Sequence, residues 1–425
     1  MPTVETFGEV FPGLLIESIA DPKHPEQLLL ETWDGKRART ARTVERGGVE
    51  YVSPALDSRL ARSVLFAPES SECESAADLI LGIRDSIRDN TPLGPTEANI
   101  LTGFSVASWF CDSMSVAPLL CLSGPSSSIC EILRVGSCFC RRSVLVGDIE
   151  CGGLQALAHG LGATLLISQR QLGSRVQRTL LASARRGFGV MHGKIPLELY
   201  GARAFSRDDG LKSELGLTIC TSPITTGPGL SLSEAEQRRI IQCFQPKLLR
   251  NRMLYLEQIG SRPIDCCAFV PELREEARTW LAPIMQCPEV SASVHAELLR
   301  KSQSLMGARF TNLKCVVIEA ALCFCHRAET KCFFVGELTD TVNAILNGRH
   351  EELQVKPRKV GSVLRDLGIY SHRDTPGFKI ELTESIREQI HEQANRYQVP
   401  PAADGVWRCC HCRERSAAPD SDTAA

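Results

Sequence analysis

The stretch from Leu119 to Glu131, Leu-Leu-Cys-Leu-Ser-Gly-Pro-Ser-Ser-Ser-Ile-Cys-Glu, decides how the rest of the chain is interpreted. Its first five residues are almost entirely apolar, which is typical of a strand that is buried on both faces of a parallel sheet. Gly124-Pro125 then marks a sharp turn, and apolar side chains recur at helical spacing from Ser127 onward. The stretch therefore predicts a strand, a tight turn and a helix at the centre of an α/β domain.

Length and composition bound the class of protein. The chain has 425 residues, 43% of them hydrophobic and 23% charged, which is enough for two or three domains with cores of their own. The net charge of -2 predicts no general attraction to nucleic acid or membranes, so any such binding must use a local patch. No secretory signal pattern and no membrane-spanning apolar run is found, so a cytoplasmic protein is expected. The 19 cysteines are then expected to be reduced and mostly buried, with disulfide pairing as the less favoured alternative.

The predicted fold class is α/β, with a parallel-sheet core, an N-terminal β-rich unit, a helical region and a C-terminal helix–helix–hairpin domain. In the N-terminal unit, Asp34-Gly35 and Gly47-Gly48 are expected hairpin turns. The core strands are predicted at Leu119–Ser123, Ser143–Gly147, Ala163–Ile167, Ala202–Ser206 and Gly216–Thr221. The predicted organisation is a small β-rich unit at 1–70, an α/β domain with leading helices at 71–228, a helical region at 229–330, a small domain at 331–399 and a disordered tail at 400–425.

The turn after the first core strand lies where a phosphate-binding motif, G-x-x-x-x-G-K-[ST], would lie. Gly124 matches the first glycine, but Ile129, Cys130 and Glu131 occupy the positions of the second glycine, the lysine and the hydroxyl residue. A metal-binding acidic pair is expected after the third strand, where this chain has Ser168-Gln169. Both features that bind a magnesium–nucleotide complex are therefore missing from the sequence.

On these residues, the chain resembles P-loop NTPases of the helicase and AAA-like kind, with degenerate nucleotide motifs, over about residues 100–330. The resemblance implies a P-loop-like core without a bound cofactor, and a polar sensor position at Ser206. An ordinary parallel α/β domain with a serine-rich turn is the alternative. The remnants of the nucleotide loop would be Gly124, Ser126, Ser127 and Ser128.

A first basic segment lies between Ala163 and Pro196 and contains no acidic residue. Arg185 and Arg186 precede Gly187-Phe188-Gly189, which predicts a basic turn. In helicase-like ATPases a loop in this region touches nucleic acid, so the resemblance makes these two arginines candidate DNA contacts. A solvated basic helix face is the alternative. The basic residues of the segment are Arg170, Arg175, Arg178, Arg185, Arg186 and Lys194.

A second basic segment lies in the C-terminal domain, whose helix–helix–hairpin pattern resembles a winged helix. Six basic residues against two acidic ones, between Lys356 and Lys379, give this segment a local charge of +4. In such a module the second helix enters the major groove and the hairpin lies against the DNA backbone. A winged helix that contacts protein, or that covers the α/β domain, is the alternative. The expected DNA contacts are Arg358, Lys359, Ser362 and Arg365 on the helix and Arg373 and Lys379 on the hairpin.

Candidate metal and catalytic residues are sparse. Cys409 and Cys412 form one C-x-x-C pair, but a structural zinc site needs four ligands, so they are weak candidates and no metal is expected. The stretch from Cys323 to His326 lies on a strongly apolar helix and favours core packing. No nucleophile or general base is assigned, because the remaining histidines of interest are isolated: His159, His192, His295 and His391.

The sequence thus favours a bacterial-type, non-catalytic accessory or regulatory protein derived from a helicase-like ATPase. Double-stranded DNA, a protein partner and a second copy of the chain are its candidate partners, and no membrane association is expected. One alternative is an active NTPase in which Arg141, Arg142 or a neighbouring subunit supplies the missing cation. Another alternative is a protein-interaction module that does not bind nucleic acid.

Overall fold

A computed structural model describes residues 1–24, 26–73, 75–155, 157, 160–169, 172–192, 195–206, 217–220, 232–327, 330–349, 351, 353–375, 377–397 and 399. The predictions made for His159, Arg170, Lys194 and the tail at 400–425, with Cys409 and Cys412, lie outside these ranges. The chain divides into two compact units, of which the first ends at Ser302 and the second begins at Gln303.

The first unit opens with short strands that form two small sheets. The hairpin turns expected from the sequence are confirmed: Gly35 (φ 86°) lies between β4 and β5, and Gly47 (φ 60°) and Gly48 (φ 78°) join β6 to β7. Glycine adopts these positive φ angles without steric cost. The sheet orders are β2-β3-β4-β5 and β1-β7-β6. The strands are β1 (Thr3–Glu5), β2 (Gly8–Phe11), β3 (Leu14–Ala20), β4 (Leu28–Trp33), β5 (Ala38–Ala41), β6 (Thr43–Arg46) and β7 (Val49–Val52).

The α/β core follows and confirms the predicted class. Its sheet is mixed, in the order β15-β9-β14-β11-β10-β8, with parallel pairing throughout except between β10 and β8. The predicted core strands coincide with β9, β10, β11, β14 and β15 to within one residue at each end. The elements are α1 (Ser58–Ser63), β8 (Val64–Leu65), α2 (Ala76–Asn90), α3 (Pro95–Ala107), β9 (Leu119–Ser123), α4 (Ser126–Ser137), β10 (Ser143–Val146), α5 (Cys151–Gln155), β11 (Thr164–Ile167), α6 (Ser174–Ala182), β12 (Val190–His192), β13 (Ile195–Leu197), β14 (Arg203–Ser206) and β15 (Leu217–Cys220).

Burial explains why the strands of this core could be predicted from the sequence. The first four residues of β9 are fully buried, so an uninterrupted apolar run is needed there. Helix α4 follows, and its buried stripe includes Ile129, Ile132 and Leu133, none of which is exposed to solvent. The antiparallel hairpin of β12 and β13 was not predicted, because two strands of three residues each show no usable periodicity.

The helices of the first unit complete its core: α7 (Glu234–Ser261), α8 (Pro271–Leu281) and most of α9 (Pro288–Thr311). The Ser233 side chain caps α7 by accepting a hydrogen bond from the Glu236 N–H. The α7 residue Gln245 donates hydrogen bonds to the carbonyls of Cys138 and Cys140, at the end of α4. This helical region is therefore packed into the first unit.

The second unit contains a three-stranded antiparallel sheet in the order β16-β18-β17 and helices that cover it. It begins earlier than the predicted boundary at residue 331, because α10 contacts α11, α12 and α13. Its buried core includes Phe333, Leu338, Leu364 and Ile380. Its elements are α10 (Leu313–Cys325), β16 (Cys332–Phe334), α11 (Val335–Gly348), α12 (Pro357–Asp366), β17 (His372–Arg373), β18 (Phe378–Glu381) and α13 (Glu384–Arg396). None of the helices in the described ranges is both long enough and apolar enough to cross a bilayer.

Candidate nucleic-acid interface

The carboxyl ends of β9 and β14 lie at the point where the core sheet changes its direction of winding. β9 connects through α4 to β10, past β14 and β11, whereas the later connections from β10 to β11, β14 and β15 run back across the sheet. In open α/β sheets a ligand crevice lies where neighbouring strands connect in opposite directions. Gly124 follows β9 at this point, and Ser206 ends the adjacent strand β14.

The β9–α4 junction differs from a phosphate loop in its backbone. Only Gly124 (φ 144°) and Pro125 separate the strand from the helix. The structure brings Ser126, Ser127 and Ser128 together with Gly124, but as the first turn of α4, with the Ser128 side chain fully buried. A phosphate loop places four residues between its two glycines and wraps backbone N–H groups around the anion. Here three of those four positions, Ser126, Ser127 and Ser128, are already helical.

The side chains around this edge offer little to a magnesium–nucleotide complex. Gln169 accepts a hydrogen bond from the Ile149 N–H at 3.1 Å, so the residue at one acidic position instead joins the segments that follow β10 and β11. The Glu131 Oε2 atom is buried without a hydrogen-bond partner in the described structure, and its carboxylate would repel an anion. The buried hydroxyl of Ser206 also has no partner among the described residues.

Arg141 and Arg142 lie at the opposite edge of the sheet, because they precede β10 rather than follow a strand. Arg141 forms a two-point ion pair with Glu17 on β3, with both N–O distances at 2.8 Å. Arg142 Nη2 lies 2.5 Å from the same carboxylate, and Arg252 on α7 contacts it at 3.2 Å. Both predicted arginines are buried and paired, so the hypothesis that either supplies a cation to the nucleotide site is wrong.

This charge cluster, formed by Glu17, Asp112, Arg141, Arg142 and Arg252, also determines the protonation of its carboxylates. Burial alone raises the pKa of Glu17, but the nearby charges of Arg141, Arg142 and Arg252 outweigh it and lower the pKa to about 2. The pKa of Asp112 is likewise raised by burial but lowered overall by Arg252 and Arg141. Both acids therefore stay ionised, and the cluster joins the N-terminal sheet to the core.

The basic turn predicted at Arg185 and Arg186 is exposed, but the two arginines differ. Arg186 Nη2 donates to the Asp112 carbonyl at 2.5 Å, and its guanidinium lies 5.3 Å from the Tyr200 ring centroid. Arg185 has an exposed side chain with no partner among the described residues, and Phe188 in the same turn is 60% exposed. Arg185 and Phe188, but not Arg186, are therefore available to a ligand at this turn.

In the second unit, α12 presents a basic face. Its apolar residues Val360, Val363 and Leu364 are buried, and helical periodicity directs Arg358, Lys359 and Arg365 outward. None of these three cations forms an ion pair with a described residue. Ser362 is half-buried on the same helix, and Arg373 on β17 is exposed and also unpaired within the described part of the chain.

Lys379 does not match the other predicted contacts. Its ammonium lies 3.6 Å from an Asp374 carboxylate oxygen and 3.4 Å from a Glu381 carboxylate oxygen. The local charge of Lys379 is thus neutralised within the hairpin, because Asp374 lies across the turn and Glu381 lies two residues further along the same strand, β18. In the sequence, Asp374 enters only the count of local charges. Its pairing with Lys379 depends on the fold.

A groove of about 560 Å³ lies beside this basic face, within the second unit. Of the nine described lining residues, the sequence predicted only Arg358 and Arg365 as contacts, and Gly361 and Phe378 are among the seven that it missed. Phe378 is 55% exposed, and its position next to the turn residue Gly377 was a signal that it lies beyond the core. The groove is lined by Val335 and Gly336 of α11, Pro357, Arg358, Gly361 and Arg365 of α12, and Ser371, Gly377 and Phe378 of the hairpin.

Two histidines meet in the core of the second unit. His326 Nε2 lies 3.3 Å from His391 Nε2, so the prediction that His391 is isolated is wrong. His391 Nδ1 lies 2.7 Å from the Arg387 carbonyl, which can only accept, so this nitrogen carries the proton and His391 Nε2 accepts from His326. Burial, with a smaller effect of Arg387, lowers the pKa of His326.

No group of three or more metal-ligating side chains occurs in the part of the chain that the structure describes.

Comparison with known proteins gives structural neighbours of low similarity. The sequence matches no protein-family model and no curated protein. The apo C-terminal region of NrS-1 aligns with 87% of this chain and 96% of its own, at 9% identity and a TM-score of 0.34. The Drosophila ORC bound to DNA aligns with 80% and 96%, at 11% identity and a TM-score of 0.19. Cdc6p from Pyrobaculum aerophilum aligns with 67% and 81%, at 11% identity and a TM-score of 0.17. At such TM-scores these alignments carry no weight for the function.

Proposed function

We propose that the chain is a DNA-binding accessory protein, with a winged-helix module in its second unit and a non-catalytic P-loop-like domain in its first. The observation that carries the proposal is the exposed face of α12, where Arg358, Lys359 and Arg365 have no ion-pair partner among the described residues. Arg373 on the adjacent hairpin adds a fourth such cation. Unpaired cations on one helix face are the usual means of binding DNA phosphates.

The order of elements in the second unit supports the winged-helix assignment. Helix α10 is followed by strand β16, the helix pair α11 and α12, and the hairpin of β17 and β18. The hairpin pairs with β16, so α12 and the hairpin belong to one small body. In the proposed complex α12 enters the major groove and Arg373 contacts the DNA backbone.

The topology of the core supports the P-loop-like assignment. Its first strand lies between the fourth and the fifth, in the order β15-β9-β14-β11-β10, as in P-loop ATPases of the helicase and AAA-like kind. The missing lysine, the missing acidic pair and the short β9–α4 junction favour a domain that has kept this architecture without the hydrolytic chemistry.

The test is duplex-DNA binding by the full chain with Arg358→Ala and Lys359→Ala combined. We expect weaker binding and a salt slope that is smaller by about 1.8, because each lost phosphate contact removes about 0.9 released counterions. Fluorescence anisotropy between about 50 and 200 mM salt measures both quantities. An unchanged affinity and slope would show that α12 is not the DNA-binding face.

A matched control removes the same charge elsewhere in the second unit. Lys331 is exposed just before β16, at the end of the sheet opposite the hairpin turn, and Arg396 is exposed at the end of α13. We expect Lys331→Ala combined with Arg396→Ala to leave the affinity within about twofold of wild type, because distant exposed charges are screened by salt. An equal loss of affinity in both double variants would mean that DNA binding depends only on the net charge of the protein.

A further inference from the structure

The groove beside α12 is kept open by glycines. A Cβ atom added at Gly336 or Gly377 would have no described residue within 4 Å apart from its chain neighbours, so the space beside either position is open in the part of the unit that the structure describes. At Gly361, on the α12 wall, an added Cβ would lie 3.9 Å from Val335 Cγ1, which is an ordinary van der Waals contact. The volume of about 560 Å³ is within the range of pockets that hold small organic ligands, so a nucleotide can enter.

One wall of the groove is an exposed aromatic ring. Phe378 and Ile380 lie on the same side of β18, but Ile380 is 1% exposed and Phe378 is 55% exposed. Phe378 therefore extends beyond the core of the unit, with part of its ring facing the groove. Nucleobases stack on such rings whatever their identity, because every base has a π-face.

The opposite wall carries two cations. Arg358 and Arg365 both line the groove, and seven residues of α-helix place them about 10 Å apart along the axis of α12. They can therefore contact different phosphates of one strand. No acidic side chain is among the described residues that line the groove, so the charge of this lining complements a polyanion. Cations and an exposed aromatic ring around one groove are the combination that proteins use to hold single-stranded nucleic acid.

We infer that this groove binds an unpaired segment of DNA, with one base stacked on Phe378 and the neighbouring phosphates held by Arg358 and Arg365. The inference rests on the proposed DNA-binding function and narrows its substrate to DNA that has a single-stranded part. A base inside a duplex cannot enter a groove of this kind, because its faces are already stacked on its neighbours. Duplex DNA would contact the outer face of α12 and Arg373 on the hairpin, and would not enter the groove.

The test compares two probes and two variants of the full chain. The probes are a fluorescent oligo-dT strand and a blunt duplex of equal length. Phe378→Leu removes the stacking surface, and we expect it to weaken oligo-dT binding about tenfold and duplex binding less than twofold. Gly361→Leu places a side chain in the groove, and leucine is a better helix former than glycine, so α12 remains intact. We expect the same selective loss from this variant.

Tyr370→Leu is the matched control, because Tyr370 is 73% exposed in the same unit but does not line the groove. It should leave the binding of both probes unchanged. If Phe378→Leu and Gly361→Leu leave oligo-dT binding intact while Arg358→Ala with Lys359→Ala weakens duplex binding, the groove inference is overturned and the proposed function stands. If neither probe binds the wild-type chain, both fail. If a polyglutamate peptide binds with the same dependence on Phe378 and Gly361, the occupant is an acidic peptide, and the inference is again overturned.

Discussion

At the scale of single residues, Glu17 is a buried carboxylate that interacts with several cations. The residue is 2% exposed, and its carboxylate interacts with three arginines that are distant in sequence, Arg141, Arg142 and Arg252. A buried ion pair is only weak evidence of net stabilisation, but removal of one partner leaves an uncompensated buried charge. Here a single substitution would leave three guanidinium groups with Asp112 as the remaining acid of the cluster.

We therefore expect Glu17→Gln to destabilise the first unit by about 3 kcal/mol. Because the folded pKa of Glu17 lies well below its ordinary value, the stabilisation is fully present above about pH 4.5 and is lost as the pH falls toward 2. Chemical denaturation at neutral pH measures the loss. The control is Glu45→Gln on β6, whose exposed carboxylate has no partner in the described structure. A loss no larger than that of the control would mean that the cluster relaxes without its carboxylate.

At the scale of elements, the β9–α4 junction decides whether nucleotide can bind. The sequence shows that other side chains replace the second glycine, the lysine and the hydroxyl residue of a phosphate loop. The structure shows that the backbone differs as well, because α4 begins at Ser126 and only two residues form the turn. Cys130 and Glu131 lie more than one turn into the helix, so new side chains there cannot recreate a cradle of backbone N–H groups.

We expect no saturable, magnesium-dependent binding of a fluorescent ATP analogue at millimolar concentration, either by the wild-type chain or by Cys130→Lys combined with Glu131→Thr. The physical reason is the missing loop, which the double variant does not lengthen. Equilibrium titration with and without Mg²⁺ measures it. Saturable binding by the double variant would contradict this prediction, since it would require the first turn of α4 to unwind around the phosphates.

At the scale of the whole molecule, each of the two units has a buried core of its own. Compact units with separate cores commonly unfold in separate transitions. The buried pair of His326 and His391 belongs to the second unit alone. Protonation of this pair should therefore shift the unfolding transition of the second unit only. The pH dependence of the first unit's transition should come from the carboxylates of that unit.

We expect the melting temperature of the second unit to fall as the pH is lowered from about 7.5 to about 5.5. The folded pKa of His326 is lowered, so its contribution to stability is complete above the unfolded value of about 6.5 and is lost below it. His326→Gln should flatten this dependence, and His372→Gln, at an exposed position on β17, should not. Thermal unfolding at several pH values measures the effect. If the melting temperature of the His326→Gln variant still falls with pH, groups other than His326 cause the pH dependence.

The sequence by itself determined the features that depend on local pattern. The five core strands, the glycine turns at Gly35 and at Gly47-Gly48, and the outward-facing cations of α12 were all predicted, because buried strands, positive φ angles and amphipathic helices leave their mark within a few residues. The strands of three residues, β1, β12, β13 and β16, are too short to leave such a pattern and were missed.

Only the tertiary structure decided which residues can act together. Arg141 and Arg142 were candidates for a nucleotide site until the fold paired them with Glu17, from which they are separated by more than a hundred residues. Lys379 is paired with Asp374 across the hairpin turn, as well as with Glu381 two residues along its own strand. The groove takes its walls from three separate elements. Distances between residues far apart in sequence are set by packing and strand order, which no local pattern encodes.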